Sequence, residues 1–187
     1  SGDPAHGLNR LMDRIPGGFE PVYLMGNHER LMLDFMEDLN YGPLWLRNGG
    51  RETLTSYGVD VETGDAPELA YLTRVQAELR ERLPEHHRAF LAALELGHLE
   101  GDYLFVHAGI RPGLAVEAQD ESDLIWIREP FLSSEEDLGK IVVHGHTIAP
   151  EPVIRQNRIG IDTGAYYTGR LTALVLEGDQ RAFLTTG

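Results

Sequence analysis

Three short polar clusters carry the residues best suited to chemistry. They are Met25-Gly26-Asn27-His28-Glu29, Phe105-Val106-His107-Ala108-Gly109 and Val143-His144-Gly145-His146-Thr147. Imidazole nitrogens and amide oxygens bind divalent ions such as manganese, iron or zinc. A histidine also titrates near neutral pH, so it can donate a proton to a leaving group. Each cluster follows an apolar run that reads as a strand, and ligands in α/β sheets collect at the carboxyl ends of strands. A glycine near each histidine lets the backbone turn sharply and approach a ligand closely. There are no cysteines, which excludes disulfides, thiolate metal sites and cysteine nucleophiles.

The elements that must position these clusters follow from periodicity and punctuation. Residues 5–15 place Leu8, Leu11, Met12 and Ile15 at helical spacing, and Pro16, Gly17 and Gly18 stop that helix. Residues 21–25 (PVYLM) read as a buried strand that runs into Gly26-Asn27-His28-Glu29. Residues 29–39 read as a helix with Leu31, Phe35 and Leu39 on one face. The stretch 40–66, rich in Gly, Asn, Asp and Thr, reads as irregular with a short helix at 53–57. A longer helix is expected over 67–83, after the cap region at Asp65, and Pro84 opens another through Leu94. From His98 the pattern turns to β. Glu100-Gly101-Asp102 reads as a hairpin turn, and 124–127, 140–147, 152–157, 158–162, 171–177 and 181–186 read as short strands. The expected organisation is one domain over 1–187 with a helical insertion at about 60–95. His86 and His87 sit in a charged segment and read as solvated. If the strand through Val143 continues through Gly145, His144 and His146 share a face; His144 then reads equally as a support behind a ligand or as a buried, satisfied histidine.

Composition bounds the partners. The 187 residues hold 16 Lys+Arg against 30 Asp+Glu, a net charge of −14. That argues against counterion-driven nucleic-acid binding and against an anionic membrane surface. No apolar run approaches the ~20 residues of a membrane span, and a cytoplasmic setting is expected. A cation held in a local pocket can still override net charge and admit phosphate.

The ordered set GNHE (26–29), FVHAG (105–109) with a following proline, and HGHT (144–147) resembles the calcineurin-like metallophosphoesterases. It is most similar to the bacterial branch of the PPP-type serine/threonine phosphatases. Supporting stretches are Trp45 with NGGRETLTSYG (48–58), DLIWIREPF (123–131) and IGIDTGAYYTGRLTALVLE (159–177). The resemblance implies an α/β fold, a metallophosphoesterase-type β-sandwich flanked by helices. It implies that Asn27, His107 and His146 ligate one metal of a two-metal site, with manganese expected and iron or zinc as alternatives. His28 matches the histidine that protonates the leaving oxygen, and Arg128 matches an arginine that grips the phosphate. The implied activity is metal-dependent phosphoester hydrolysis on a phosphoprotein. The alternatives are dinucleoside polyphosphate hydrolysis and an inactive binding module. The last arises because the family motifs Gly-Asp-x-His-Gly and Gly-Asp-x-x-Asp-Arg are not among the 187 residues. Gly2-Asp3 and His6 echo the first of them with the wrong spacing and no preceding strand. At most one metal, weak activity, and self-association through an exposed sheet edge are therefore expected of this chain.

Overall fold

The computed structural model describes residues 4–13, 15, 17–62 and 68–186. The expectations at Pro16, Asp65 and Pro67, at Gly2-Asp3 and at the side chain of His6 lie outside the described residues. The chain divides into two compact units, a helical one (Gly2–Tyr23 and Asn27–Leu94) and a sheet-containing one (Leu24–Gly26 with Glu95–Gly187).

In the helical unit, α1 (Pro4–Asp13) and α2 (Asn27–Glu37) are followed by a 3₁₀ turn at Leu39–Tyr41 and a short α3 (Gly42–Trp45). A wide turn at Leu46–Gly50 then leads into α4 (Arg51–Ser56), and α5 (Leu69–Arg82) and α6 (Glu85–Ala92) complete the unit. Apolar residues at helical spacing make its core. Phe35 stacks on Trp45 with ring centroids 5.0 Å apart, and Leu54, Val75 and Leu79 are fully buried. Gln76, itself buried, donates Nε2–H to the Phe35 carbonyl at 2.6 Å, so α5 is hydrogen-bonded as well as packed to α2. The described part of the stretch 40–66, residues 40–62, is thus mostly helical rather than irregular. Its glycines serve packing. A Cβ on Gly50 would lie 2.6 Å from the Trp45 ring, and Gly49, at φ +89, makes the kink that lets the helices change direction.

In the other unit, β1 (Gly97–Glu100) and β2 (Tyr103–Val106) form the expected hairpin. After α7 (Glu121–Trp126) come β3 (Ile141–His144), β4 (Val153–Ile154) and β5 (Arg158–Gly160). These five strands make one sheet in the order β1-β2-β3-β5-β4. The central pairs β2/β3 and β3/β5 are parallel, and both outer pairs are antiparallel. A four-residue helix, α8 (Ala165–Thr168), precedes β6 (Thr172–Glu177) and β7 (Gln180–Thr185), which pair as a second, two-stranded sheet. Leu104, Val106, Ala108, Ile110, Ile127, Phe131 and Val142 form the core. The result is an α/β fold with a mixed sheet. Among the described residues, no helix is long and apolar enough to cross a membrane.

Two expected strands are not strands. Residues 21–25 make one parallel bridge, Leu24 to Glu95, with the Met25 N–H donating to the Glu95 carbonyl at 2.7 Å. Its apolar pattern is satisfied by burying Met25, while Val22 stays exposed. Residues 124–127 lie largely in α7. Glu121 and Asp123 stand in its first turn, where carboxylates suit the helix dipole. The Ile125 and Ile127 side chains still reach the interior, so burial alone did not distinguish strand from helix over so short a run.

Candidate active site

The histidine clusters of the sheet-containing unit sit where the strand logic puts them. His107 follows β2 and His146 follows β3, at the carboxyl ends of two parallel neighbours. The Gly145 N–H donates to the His107 carbonyl at 2.9 Å, which pins the two strand-end loops together. The side chains meet, with His107 Nε2 3.2 Å from His146 Nδ1. The Trp126 ring stands edge-on to His146, centroids 6.0 Å apart.

The backbone at His146 is unusual. Its φ is +61, the one positive value among described non-glycine residues. The Thr147 N–H donates back to the Gly145 carbonyl at 2.6 Å. This is a γ-turn in its strained, positive-φ form. Strain of this kind persists where the surroundings over-determine it, and it clusters at functional sites. The same Gly145 carbonyl also accepts the Nδ1–H of His144 at 3.1 Å. That hydrogen bond fixes the His144 tautomer and braces the turn. Because β3 ends at His144 and the turn follows at once, His144 and His146 do not share a face as a continued strand would require. The His144 ring is buried against Phe131 and over Gly160, where an added Cβ would lie 3.2 Å from the ring. Its Nε2 has no hydrogen-bond partner among the described residues. Burial pushes the His144 imidazole below its usual range, partly opposed by the Gly145 hydrogen bond.

Two further groups complete this neighbourhood, and sequence reasoning passed over both. Asp162 follows β5 as His107 and His146 follow β2 and β3. Its Oδ1 accepts the Gly164 N–H at 2.9 Å, and its carboxylate faces Gly145, whose added Cβ would lie 4.0 Å from Oδ2. A third strand-end cluster in the same unit, Ile161-Asp162-Thr163-Gly164, was the available signal. The other group is a clamp. Arg111 donates Nε–H and Nη2–H to the two Asp123 oxygens, both at 2.7 Å. With the Ala108 N–H to the Leu124 carbonyl at 2.8 Å, it ties α7 to the loop after His107. Arg128 lies just beyond α7, exposed, and its guanidinium pairs with no carboxylate among the described residues. Gly109 allows the loop to close on the core, since a Cβ there would lie 2.3 Å from Phe131.

Asn27 and His28 belong to the helical unit and open α2. Asn27 is buried. His28 is exposed and lines a cavity of about 270 Å³ with Leu8, Leu11, Met32, Trp45 and Tyr57. Gly49 lies against it, with an added Cβ 3.5 Å from His28 Nδ1. His87 is not solvated. It is buried, its Nδ1 2.9 Å from the Tyr57 hydroxyl and its Nε2 2.9 Å from Asn9 Oδ1, while His86 is exposed.

The His107/His146 pair fits a divalent ion. Two imidazole nitrogens each roughly 2.1 Å from one ion, as adjacent ligands, stand roughly 3 Å apart. Among the described residues no group of three or more His, Asp or Glu is arranged to hold an ion.

No family model matches the chain, and no curated protein matches it in sequence. Among solved structures it is similar to a crystal structure described as a "putative diadenosine tetraphosphatase". The TM-score is 0.54 at 19% identity, over 96% of this chain and 71% of that one. At that identity the likeness establishes the fold alone, an α/β fold with a mixed sheet.

Proposed function

We propose that the chain is a metal-dependent phosphoester hydrolase. The observation that carries this reading is the 3.2 Å approach of His107 Nε2 to His146 Nδ1 at the ends of adjacent parallel strands. His107 and His146 would hold a divalent ion, manganese by resemblance, and by the same resemblance the GNHE motif makes Asn27 a candidate ligand. A bound divalent ion supplies Lewis acidity and a water of lowered pKa. The rest falls to the chain's own side chains. Arg128, exposed and without a carboxylate partner among the described residues, holds the phosphoryl oxygens bidentately. His28 gives its proton to the leaving oxygen as the P–O bond breaks and the oxygen of water bonds to phosphorus. Trp126 limits the positions open to the His146 ring, and the Arg111–Asp123 clamp fixes the loop that carries His107.

Two substrate classes have support. The motif set resembles that of phosphoprotein phosphatases, and the structural neighbour is described as acting on a dinucleoside polyphosphate. The second reading is at least as well supported, because the likeness in fold extends over nearly the whole chain. The test is turnover of p-nitrophenyl phosphate, a phosphoserine peptide and diadenosine tetraphosphate, with and without manganese. Slow, manganese-dependent hydrolysis that is lost in His146→Ala is expected. Nucleotide release outrunning phosphate release from the peptide supports the dinucleoside reading, and the reverse order supports the phosphoprotein one. Metal binding without turnover of any of the three would make the chain a binding module instead.

A further inference from the structure

The sheet-containing unit has a second polar cavity, unconnected with the histidines. It measures about 540 Å³ and is lined by Ser133, Ser134, Arg155, Gln156, Asn157 and Arg158, with Glu135 its one acidic wall. That volume lies within the roughly 300–1,000 Å³ of ligand pockets. Arg158 pairs with Val142, and Gly160 with His144, along the parallel strands β3 and β5. The cavity therefore lies at the amino ends of these strands, and His146 follows a carboxyl end.

Arg158 is the unusual residue. It is 94% buried by its 6% exposure. Its Nη1 donates to the Ser134 carbonyl and to Asn157 Oδ1, both at 3.3 Å, and its Nη2 donates to the Leu132 carbonyl. Its Nε finds no partner among the described residues, and no carboxylate there pairs with it. The guanidinium also lies over the Phe131 ring, 5.7 Å from the centroid. Buried charges are normally paired, since desolvating an unpaired one is costly. Of the charges that act on it, Arg155, of the same sign, outweighs Glu129, which opposes it. Arg155 lines the same cavity, and its guanidinium makes no ion pair among the described residues. Burial and then Arg155 push the Arg158 guanidinium below its usual range. In a chain of net charge −14, two arginines with no ion-pair partner among the described residues stand on one cavity.

We propose that this cavity binds a phosphate-class oxyanion, either free phosphate or the terminal phosphate of a small phosphorylated molecule, between Arg155 and Arg158. The anion supplies the missing counter-charge. Ser133, Ser134 and Gln156 line the same walls, and the spare volume accommodates a group attached to the phosphate. The site is separate from the histidine pair and independent of the hydrolase reading.

The test is a backbone-amide NMR titration of the chain with inorganic phosphate, AMP and sodium chloride at matched ionic strength. Saturable shifts at residues 132–135 and 155–158 are expected with phosphate and AMP and absent with chloride. Arg158→Gln risks the fold, because Arg158 holds three carbonyl-type acceptors, so the informative variant is the exposed Arg155→Gln. It should melt like the parent and weaken phosphate binding there about 10-fold, the worth of one charge-assisted hydrogen bond. His146→Ala should leave these shifts unchanged. AMP binding more tightly than phosphate identifies a phosphorylated small molecule as the ligand, and equal affinity identifies free phosphate. No saturable shift at these residues, or equal affinity in Arg155→Gln, would overturn the proposal and leave Arg158 as a clasp for the loop at 132–136.

Discussion

His144 shows how one hydrogen bond sets the geometry of another residue. Its Nδ1–H and the Thr147 N–H share the Gly145 carbonyl, and the turn so held is the one that presents His146. His144→Phe keeps a ring against Phe131 and Gly160 but removes that donor. It also removes the buried Nε2 that has no partner among the described residues, which offsets the loss. Stability should therefore change little, by about 1 kcal/mol or less. Affinity for zinc or manganese should fall about 10-fold, as when a group behind a metal ligand is lost. Calorimetric titration beside a thermal melt separates the two effects, and unchanged affinity would show that the turn holds His146 unaided. The histidines themselves were legible in the sequence, because strand-then-His-Gly is a local pattern. The strained φ at His146 was not, because it depends on the Gly145 N–H reaching the His107 carbonyl from another strand. Asp162 was missed for the same reason, since its relation to Gly145 exists only once β5 pairs with β3.

At the scale of elements, long amphipathic helices and the hairpin were legible, and α2, α5, α6, β1 and β2 fall close to where periodicity put them. Short apolar runs were not. Four residues such as 124–127 carry too little period to separate strand from helix, and 21–25 forms only one bridge. His87 is a similar case. Its charged neighbours read as a solvated face, yet its own side chain turns inward between Tyr57 and Asn9 and links α6 to α4 and α1. Asn9 Oδ1 accepts from Nε2–H, and the Tyr57 hydroxyl lies 2.9 Å from Nδ1. Burial, reinforced by His86, holds the His87 pKa below the ordinary 6.5. The unfolded chain then takes up the proton first. The stabilisation is fully present above about pH 6.5 and declines as pH falls through that value toward the folded pKa, with a slope of at most about 1.4 kcal/mol per pH unit. Urea midpoints at pH 7.5, 6.5 and 5.5 should fall more steeply for the parent than for His87→Gln. Parallel slopes would mean that His87 titrates alike in both states.

At the scale of the molecule, the α/β class was legible because helices and strands segregate along the chain, and the three clusters pointed to the strand ends where two histidines meet. The central claim is that this meeting is part of a divalent-ion site. It is tested most directly by NMR of the chain, selectively labelled at its histidines, on titration with manganese, whose paramagnetism broadens nearby nuclei. The account predicts that the His107 and His146 ring signals broaden first and together, at sub-stoichiometric ion. It predicts that His146→Ala abolishes the effect at His107. Broadening spread evenly over exposed histidines and carboxylates, or an effect at His107 that survives the loss of His146, would contradict it.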